Sequence, residues 1–215
     1  MKHIIDKSFS FCYGHRVHNQ TLDTKFTDNG DACLACRHLH GHEGLIKVFL
    51  EETSLETYND GITTTTLGAN VRTNGMVTDF KHLGWFKNFL DDVLDHKMIL
   101  DLNDPLNAEN VIWVLDDDET VDMSCLHQMP EGYWIPDMTK IIESMKKFGS
   151  ADTPKNKAIL EKYEGLIFVD FVPTSENISG WLLQIASEKM KDIPGVRVSA
   201  VEYWETPKSH CRVEV

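Results

Sequence analysis

The chain has 215 residues, 41% of them hydrophobic and 26% charged, and carries a formal net charge of −13. That is the composition of an ordinary globular protein, long enough to bury its core as one domain over residues 1–215. The excess of acid argues against general binding to nucleic acid or to an anionic membrane, because both depend on Lys and Arg neutralising phosphates.

No apolar run approaches the roughly 20 residues that a membrane-spanning helix needs. The opening Met1-Lys2-His3-Ile4-Ile5-Asp6 lacks the apolar segment of a secretion signal, and the cysteines number five. A cytoplasmic protein with reduced thiols is therefore expected, rather than a disulfide framework.

Residues 2–13 carry Ile4, Ile5, Phe9, Phe11 and Tyr13, which predicts a strand ending near Gly14-His15. A polar loop over 19–32 returns the chain to Cys33-Leu34-Ala35-Cys36-Arg37-His38-Leu39-His40-Gly41-His42. A second strand follows, with Ile46, Val48 and Leu50 on one face and Leu45, Lys47 and Phe49 on the other. Asn59-Asp60-Gly61, the Thr63 to Thr66 run and Asn74-Gly75 read as an irregular connection. Thr78 or Asp79 then caps a helix whose apolar positions Phe80, Leu83, Phe86, Leu90, Val93 and Leu94 recur at helical spacing, and which ends at Asp95-His96.

From Asn103 to about Gly165 the pattern changes. Val111 to Leu115 reads as a short strand, Asp116 to Glu119 as a solvated acidic loop, and Pro136-Asp137 as the start of a helix burying Met138, Ile141, Ile142, Met145 and Phe148. Pro154 opens another helix. Leu166 to Val172 is a predicted strand, and Thr174-Ser175-Glu176 begins an amphipathic helix that buries Ile178, Leu182, Ile185 and Ala186. Gly195 ends it, and a hairpin from Val196 to the C-terminus turns at Pro207-Lys208-Ser209. With residues 103–165 set aside the order is two strands, two helices, two strands. That predicts an α+β fold, an antiparallel four-stranded sheet with two helices on one face, carrying an inserted α/β segment at about 103–165.

His40 and His42, two apart on a strand, point the same way. His15, at the end of the presumed neighbouring strand, can complete a set of three neutral imidazoles with an open fourth position, the donor set of a catalytic Zn2+ site. Cys36 would not have to bind the metal: a thiol with a pKa of about 8.5 becomes a competent base or nucleophile near a cation. Asp95 and His96 could supply a relay in which the carboxylate orients the imidazole that moves a proton. A different reading takes Cys33 and Cys36 as half of a structural zinc site, with Cys125 and His127 as partners, in a non-catalytic zinc-stabilised binding module.

Several of these runs, in order, carry a family resemblance. Phe9-Ser10-Phe11 with Gly14-His15-Arg16-Val17, then Cys36-x3-His40-Gly41-His42, Gly75-Met76-Val77-Thr78-Asp79-Phe80 and Leu94-Asp95-His96 are among them. Pro173-Thr174-Ser175-Glu176-Asn177 and Glu202-Tyr203-Trp204-Glu205-Thr206-Pro207 complete the set. Together they resemble the 6-pyruvoyltetrahydropterin synthase family, and the three-residue gap between Cys36 and His40 resembles its bacterial 6-carboxytetrahydropterin synthase branch.

The resemblance implies a tunnelling fold (T-fold), assembled as a homo-oligomer with active sites between subunits. It implies zinc on His15, His40 and His42, and a proton-transfer triad of Cys36, Asp95 and His96. Glu205 would hold the pterin edge, aided by Thr174 and Ser175. The implied reaction takes 7,8-dihydroneopterin triphosphate to 6-carboxy-5,6,7,8-tetrahydropterin, acetaldehyde and triphosphate, a step towards 7-deazaguanine bases such as queuosine. The alternatives are formation of 6-pyruvoyltetrahydropterin or another cleavage of a pterin side chain. Arg16, Arg37, Lys81, Lys208 and Arg212 are the candidate cations for the triphosphate.

Overall fold

A computed structural model describes residues 3–27, 33–53, 55–59, 64–68, 76–147, 149 and 152–215. Strand β1 (Ile4–His15) is followed by the single turn α1 (Leu34–Arg37) and the long strand β2 (His40–Glu52). Next come β3 (Leu55–Asn59) and β4 (Thr64–Gly68), then a 3-10 turn (Phe80–Leu83), α2 (Gly84–Phe89) and a π-helical turn (Leu90–Leu94). The chain continues through β5 (Lys97–Asp101), α3 (Asn107–Asn110), β6 (Leu126–Gln128), β7 (Trp134–Pro136), α4 (Met138–Lys147) and α5 (Pro154–Glu164). It closes with β8 (Leu166–Val169), α6 (Ser175–Met190), β9 (Val196–Thr206) and β10 (Ser209–Glu214). Among the described residues no helix is long and apolar enough to cross a membrane.

The chain forms two compact units. One comprises Met1–Phe11, Glu43–Asp92 and Ser175–Val215. Its strands lie in the order β10, β9, β2, β1, and β9 runs antiparallel to both of its neighbours, with Leu45 opposite Trp204 and Glu52 opposite Val196. Strand alternation decides which face is buried. Ile46, Val48 and Leu50 are fully buried while Leu45, Lys47 and Phe49 stay half-exposed. Phe86, from α2, packs on Phe9 with ring centroids 5.2 Å apart, and α6 buries Ile178, Leu182, Ile185 and Ala186. Each such side chain removed from water contributes about 1.5–3 kcal/mol. Asp79 caps the helical run by accepting the Lys81 N–H at 2.8 Å.

The other unit comprises Cys12–His42 and Val93–Thr174. Here the order is β1, β5, β8, β7, β6: β5 runs parallel to β1 and to β8, while β7 is antiparallel to both β8 and β6. Its own core gathers Leu100, Val111, Val114, Ile141, Met145, Tyr163 and Phe168. Pro154 stands at the first turn of α5, behind the N-cap Thr153, as the sequence predicts.

Two local expectations fail. Val111 to Leu115 is a 3-10 turn over Ile112–Val114, which buries Val111 and Val114 and sends the Trp113 N–H to the Tyr163 hydroxyl at 2.9 Å. Thr64 to Thr66 lie in strand β4, paired with β3 so that Asn59 faces Thr64, because β-branched residues suit a pleated strand. Asp60, Gly61, Thr63, Asn74, Gly75 and Phe148 lie outside the described residues. Lys97 to Asp101, which had no assigned structure, is β5. The Asp116 to Glu119 run is the exposed loop expected, its Asp116 carboxylate held below the usual range chiefly by the Thr120 hydroxyl.

Candidate metal centre and active site

Phe9, Phe11, Tyr13 and His15 occupy alternate positions of β1 and all are buried. The last of them ends the strand as a fully buried imidazole, 0% exposed. His40 and His42 open β2, two residues apart on one face, and both are half-buried. The three rings converge: their centroids are 4.6 Å (His15 and His40), 5.2 Å (His15 and His42) and 4.9 Å (His40 and His42) apart. One ring nitrogen from each lies within 4.8 Å of the other two, and among the described residues this is the group of His, Cys, Asp and Glu able to hold a metal.

The backbone sets the tautomers. His15 Nδ1 is 2.6 Å from the Pro173 carbonyl and His40 Nδ1 is 2.8 Å from the His38 carbonyl. A carbonyl only accepts, so each Nδ1 carries the proton and each Nε2 presents a lone pair, the arrangement that orients metal-ligating histidines. Burial pushes the His15 pKa down from 6.5 to about 4; the Pro173 hydrogen bond opposes this, and His40 and His42 add to it. The imidazole is therefore neutral at pH 7, as a ligand must be. Three imidazoles suit Zn2+ in hardness and number, leaving a fourth position for an oxygen. Gly41, between two of them, permits a close approach of strands, since a Cβ there would lie 3.0 Å from the Tyr13 carbonyl oxygen.

Cys36 sits half-buried on α1, in the same compact unit as the histidines, and its carbonyl accepts the Val17 N–H at 2.8 Å. Cys33 is the buried residue before that turn. Asp95 and His96 follow the π-helical turn, and His96 adopts a left-handed backbone, φ 59°. Both are fastened to β1 near its C-terminal end: the Cys12 N–H donates to Asp95 Oδ1 at 2.7 Å, and the His96 N–H donates to the Cys12 carbonyl at 2.6 Å. Asp95 Oδ2 accepts the His96 Nδ1–H at 2.8 Å, so the carboxylate directs His96 Nε2 outward on an exposed ring.

Thr174 donates its N–H to the Val172 carbonyl at 2.7 Å, just before Ser175 opens α6. Ser175 and the half-buried Glu205, near the end of β9, belong to the other compact unit. Of the cations expected to meet a triphosphate, Arg16 faces Asp104, Arg37 donates to the Gln20 carbonyl, and Arg212 pairs with Glu202 and Glu214. Lys81 and Lys208 are exposed.

The sequence reading passed over Asp101, Asp104 and His18. The pairs His18 with Asp101, at 3.0 Å, and Arg16 with Asp104, at 3.3 Å, tie the exit of β1 to the turn after β5. The available signal was an Asp-x2-Asp-x2-Asn spacing directly behind an apolar run.

Comparison with known proteins gives this geometry a lineage. The crystal structure of uncharacterized protein WS1659 from Wolinella succinogenes is 42% identical, covers 100% of this chain and 98% of its own, and superposes with a TM-score of 0.78. A curated 6-carboxy-5,6,7,8-tetrahydropterin synthase of Aquifex aeolicus (strain VF5) is 24% identical over 97% of this chain and 96% of its own. The model of the family described as 6-pyruvoyl tetrahydropterin synthase matches residues 4–215. The fold is the α+β tunnelling fold anticipated from the sequence. Matched along nearly its whole length, the chain belongs to the 6-pyruvoyl tetrahydropterin synthase family.

Proposed function

We propose that this chain is a zinc-dependent 6-carboxy-5,6,7,8-tetrahydropterin synthase, a lyase that converts 7,8-dihydroneopterin triphosphate and water to 6-carboxytetrahydropterin, acetaldehyde and triphosphate. The observation that carries the reading is the convergence of His15, His40 and His42 in a family member whose Aquifex aeolicus relative bears that name over nearly all of both chains. The Cys36-x3-His40 spacing, which resembles the bacterial branch, supports the carboxy product over the pyruvoyl one.

In this reading His15 and His40, through Nε2, and His42 would hold Zn2+. Bound there, the ion would supply Lewis acidity towards the hydroxyl oxygens of the substrate side chain, which would acidify the adjacent C–H. Cys36, as thiolate, takes that proton. His96 exchanges protons at Nε2 while Asp95 holds its Nδ1–H, which keeps the ring in one tautomer and one orientation. Glu205 accepts the paired N–H donors of the pterin edge with its carboxylate, and Thr174 and Ser175 assist at the start of α6. The product feeds 7-deazaguanine synthesis in the cytoplasm. A homo-oligomer with sites between subunits accords with β10, whose one neighbour in its sheet among the described residues is β9.

Mass spectrometry of the product from 7,8-dihydroneopterin triphosphate tests the assignment, with 6-carboxytetrahydropterin and acetaldehyde expected. A pyruvoyl product without acetaldehyde overturns it. Cys36→Ala should abolish turnover with one metal ion still bound per chain; loss of the metal would return Cys36 to the role of ligand.

A further inference from the structure

Four consecutive residues at the exit of β1 are each held by a different partner. His15 gives its Nδ1–H to the Pro173 carbonyl, Arg16 Nε lies 3.3 Å from Asp104 Oδ2, the Val17 N–H reaches the Cys36 carbonyl, and His18 Nε2 lies 3.0 Å from Asp101 Oδ2. The two carboxylates are almost wholly buried, with side chains 4% (Asp101) and 1% (Asp104) exposed.

Each acid is also fixed from behind. Asp101 Oδ1 accepts the Asn103 N–H and side-chain amide, and Asp104 Oδ1 accepts the Leu106 N–H at 2.8 Å. Asn107 closes the same turn by donating its Nδ2 hydrogens to the carbonyls of Asp101 and Leu102. One oxygen of each carboxylate thus belongs to the turn, and the other faces the loop that leaves His15. That loop moves only by separating two nearly buried pairs, which costs more than breaking exposed ones.

We infer that Asp101 and Asp104 are positioning residues for the metal centre: by pinning His18 and Arg16 they hold His15 in reach of the ion, and through Val17 they steady the turn that carries Cys36. The inference rests on the metal reading of the three histidines and deepens it by giving the turn after β5 a part in the site. A ligand must be held to within about 0.5 Å to bind well. A loop freed from both pairs gains conformations that metal binding must remove again, so affinity falls. Partners behind the ligands of metal sites are typically worth about 10–100-fold in affinity.

The test is a titration of the full-length, metal-free chain with Co2+, read by its visible bands, and with Zn2+ in competition with a chelating dye. The wild type should bind one ion per chain and His15→Ala should lose it. Asp101→Asn and Asp104→Asn should each bind the same ion about tenfold or more weakly. Arg16→Lys, which keeps a cation opposite Asp104, should stay within about threefold. His18→Gln probes the Asp101 pair from the loop side should Asp101→Asn not fold. Tyr163→Phe, which removes a buried hydroxyl elsewhere in the same unit, should leave affinity unchanged.

Affinities for Asp101→Asn and Asp104→Asn within twofold of the wild type, with His15→Ala still losing the ion, overturn the inference alone. So does an equal loss of affinity in Tyr163→Phe. Undiminished binding in His15→Ala overturns the metal reading and this inference together.

Discussion

The buried His15 makes a quantitative claim about the metal-free protein in acid. Its pKa is about 4 in the folded chain against 6.5 for an exposed imidazole, chiefly because burial disfavours the cation. Below pH 6.5 the unfolded chain takes up a proton there that the folded chain refuses, so the unfolded state gains. The contribution of His15 is therefore fully present above pH 6.5, declines as pH falls towards 4, and changes no further below that. At 1.36 kcal/mol per pH unit the loss comes to about 3 kcal/mol, a large part of the 5–15 kcal/mol that holds a typical domain folded.

Urea unfolding at half-unit steps from pH 7.5 to 3.5, on the chelator-treated wild type and on His15→Asn, isolates the term as a difference. Asn keeps an N–H for the Pro173 carbonyl but cannot titrate, so carboxylate effects common to both proteins cancel. The wild type should lose about 3 kcal/mol more than the variant between pH 6.5 and 4. Parallel curves would refute the reasoning, because they would mean that the imidazole takes up its proton as readily folded as unfolded.

Other substitutions have defined expectations. Tyr163→Phe removes the acceptor of the half-buried Trp113 N–H and should cost about 1 kcal/mol or more in urea unfolding; an unchanged midpoint would show that the amide finds another acceptor. Asp95→Asn can no longer accept from both Cys12 N–H and His96 Nδ1–H. It should lower kcat by about 10²–10⁴, the range of general acid–base catalysis, with metal content unchanged. An unaltered kcat would remove His96 from the proton path. Gly41→Ala sets a Cβ 3.0 Å from the Tyr13 carbonyl oxygen and should push the head of β2 away, costing about 1–3 kcal/mol of stability; unfolding curves that overlay the wild type would show that the strands have slack there.

Much of the first compact unit was legible in the sequence because its signals are local and periodic. The period of two in β2 named its buried face, the spacing of Ile178, Leu182 and Ile185 named that of α6, and β9 and β10 form the expected hairpin. The three imidazoles were legible for the same reason: His40 and His42 share a strand face, and His15 ends a strand of buried aromatics.

The tertiary structure decided what depends on partners distant in sequence. Strand β5 is a run of 5 residues, too short for a period, and becomes a strand because it pairs with β1 and with β8; β8, expected over Leu166 to Val172, stops at Val169. The tautomers of His15 and His40 depend on backbone carbonyls, which every residue possesses and no side chain announces. Asp101 and Asp104 look like solvent-facing acids in a net-negative chain until the fold buries them against His18 and Arg16. The sequence by itself determined which groups could bind a metal, through side-chain chemistry and strand alternation. The folded chain determined what holds them there, through pairings between residues more than eighty positions apart.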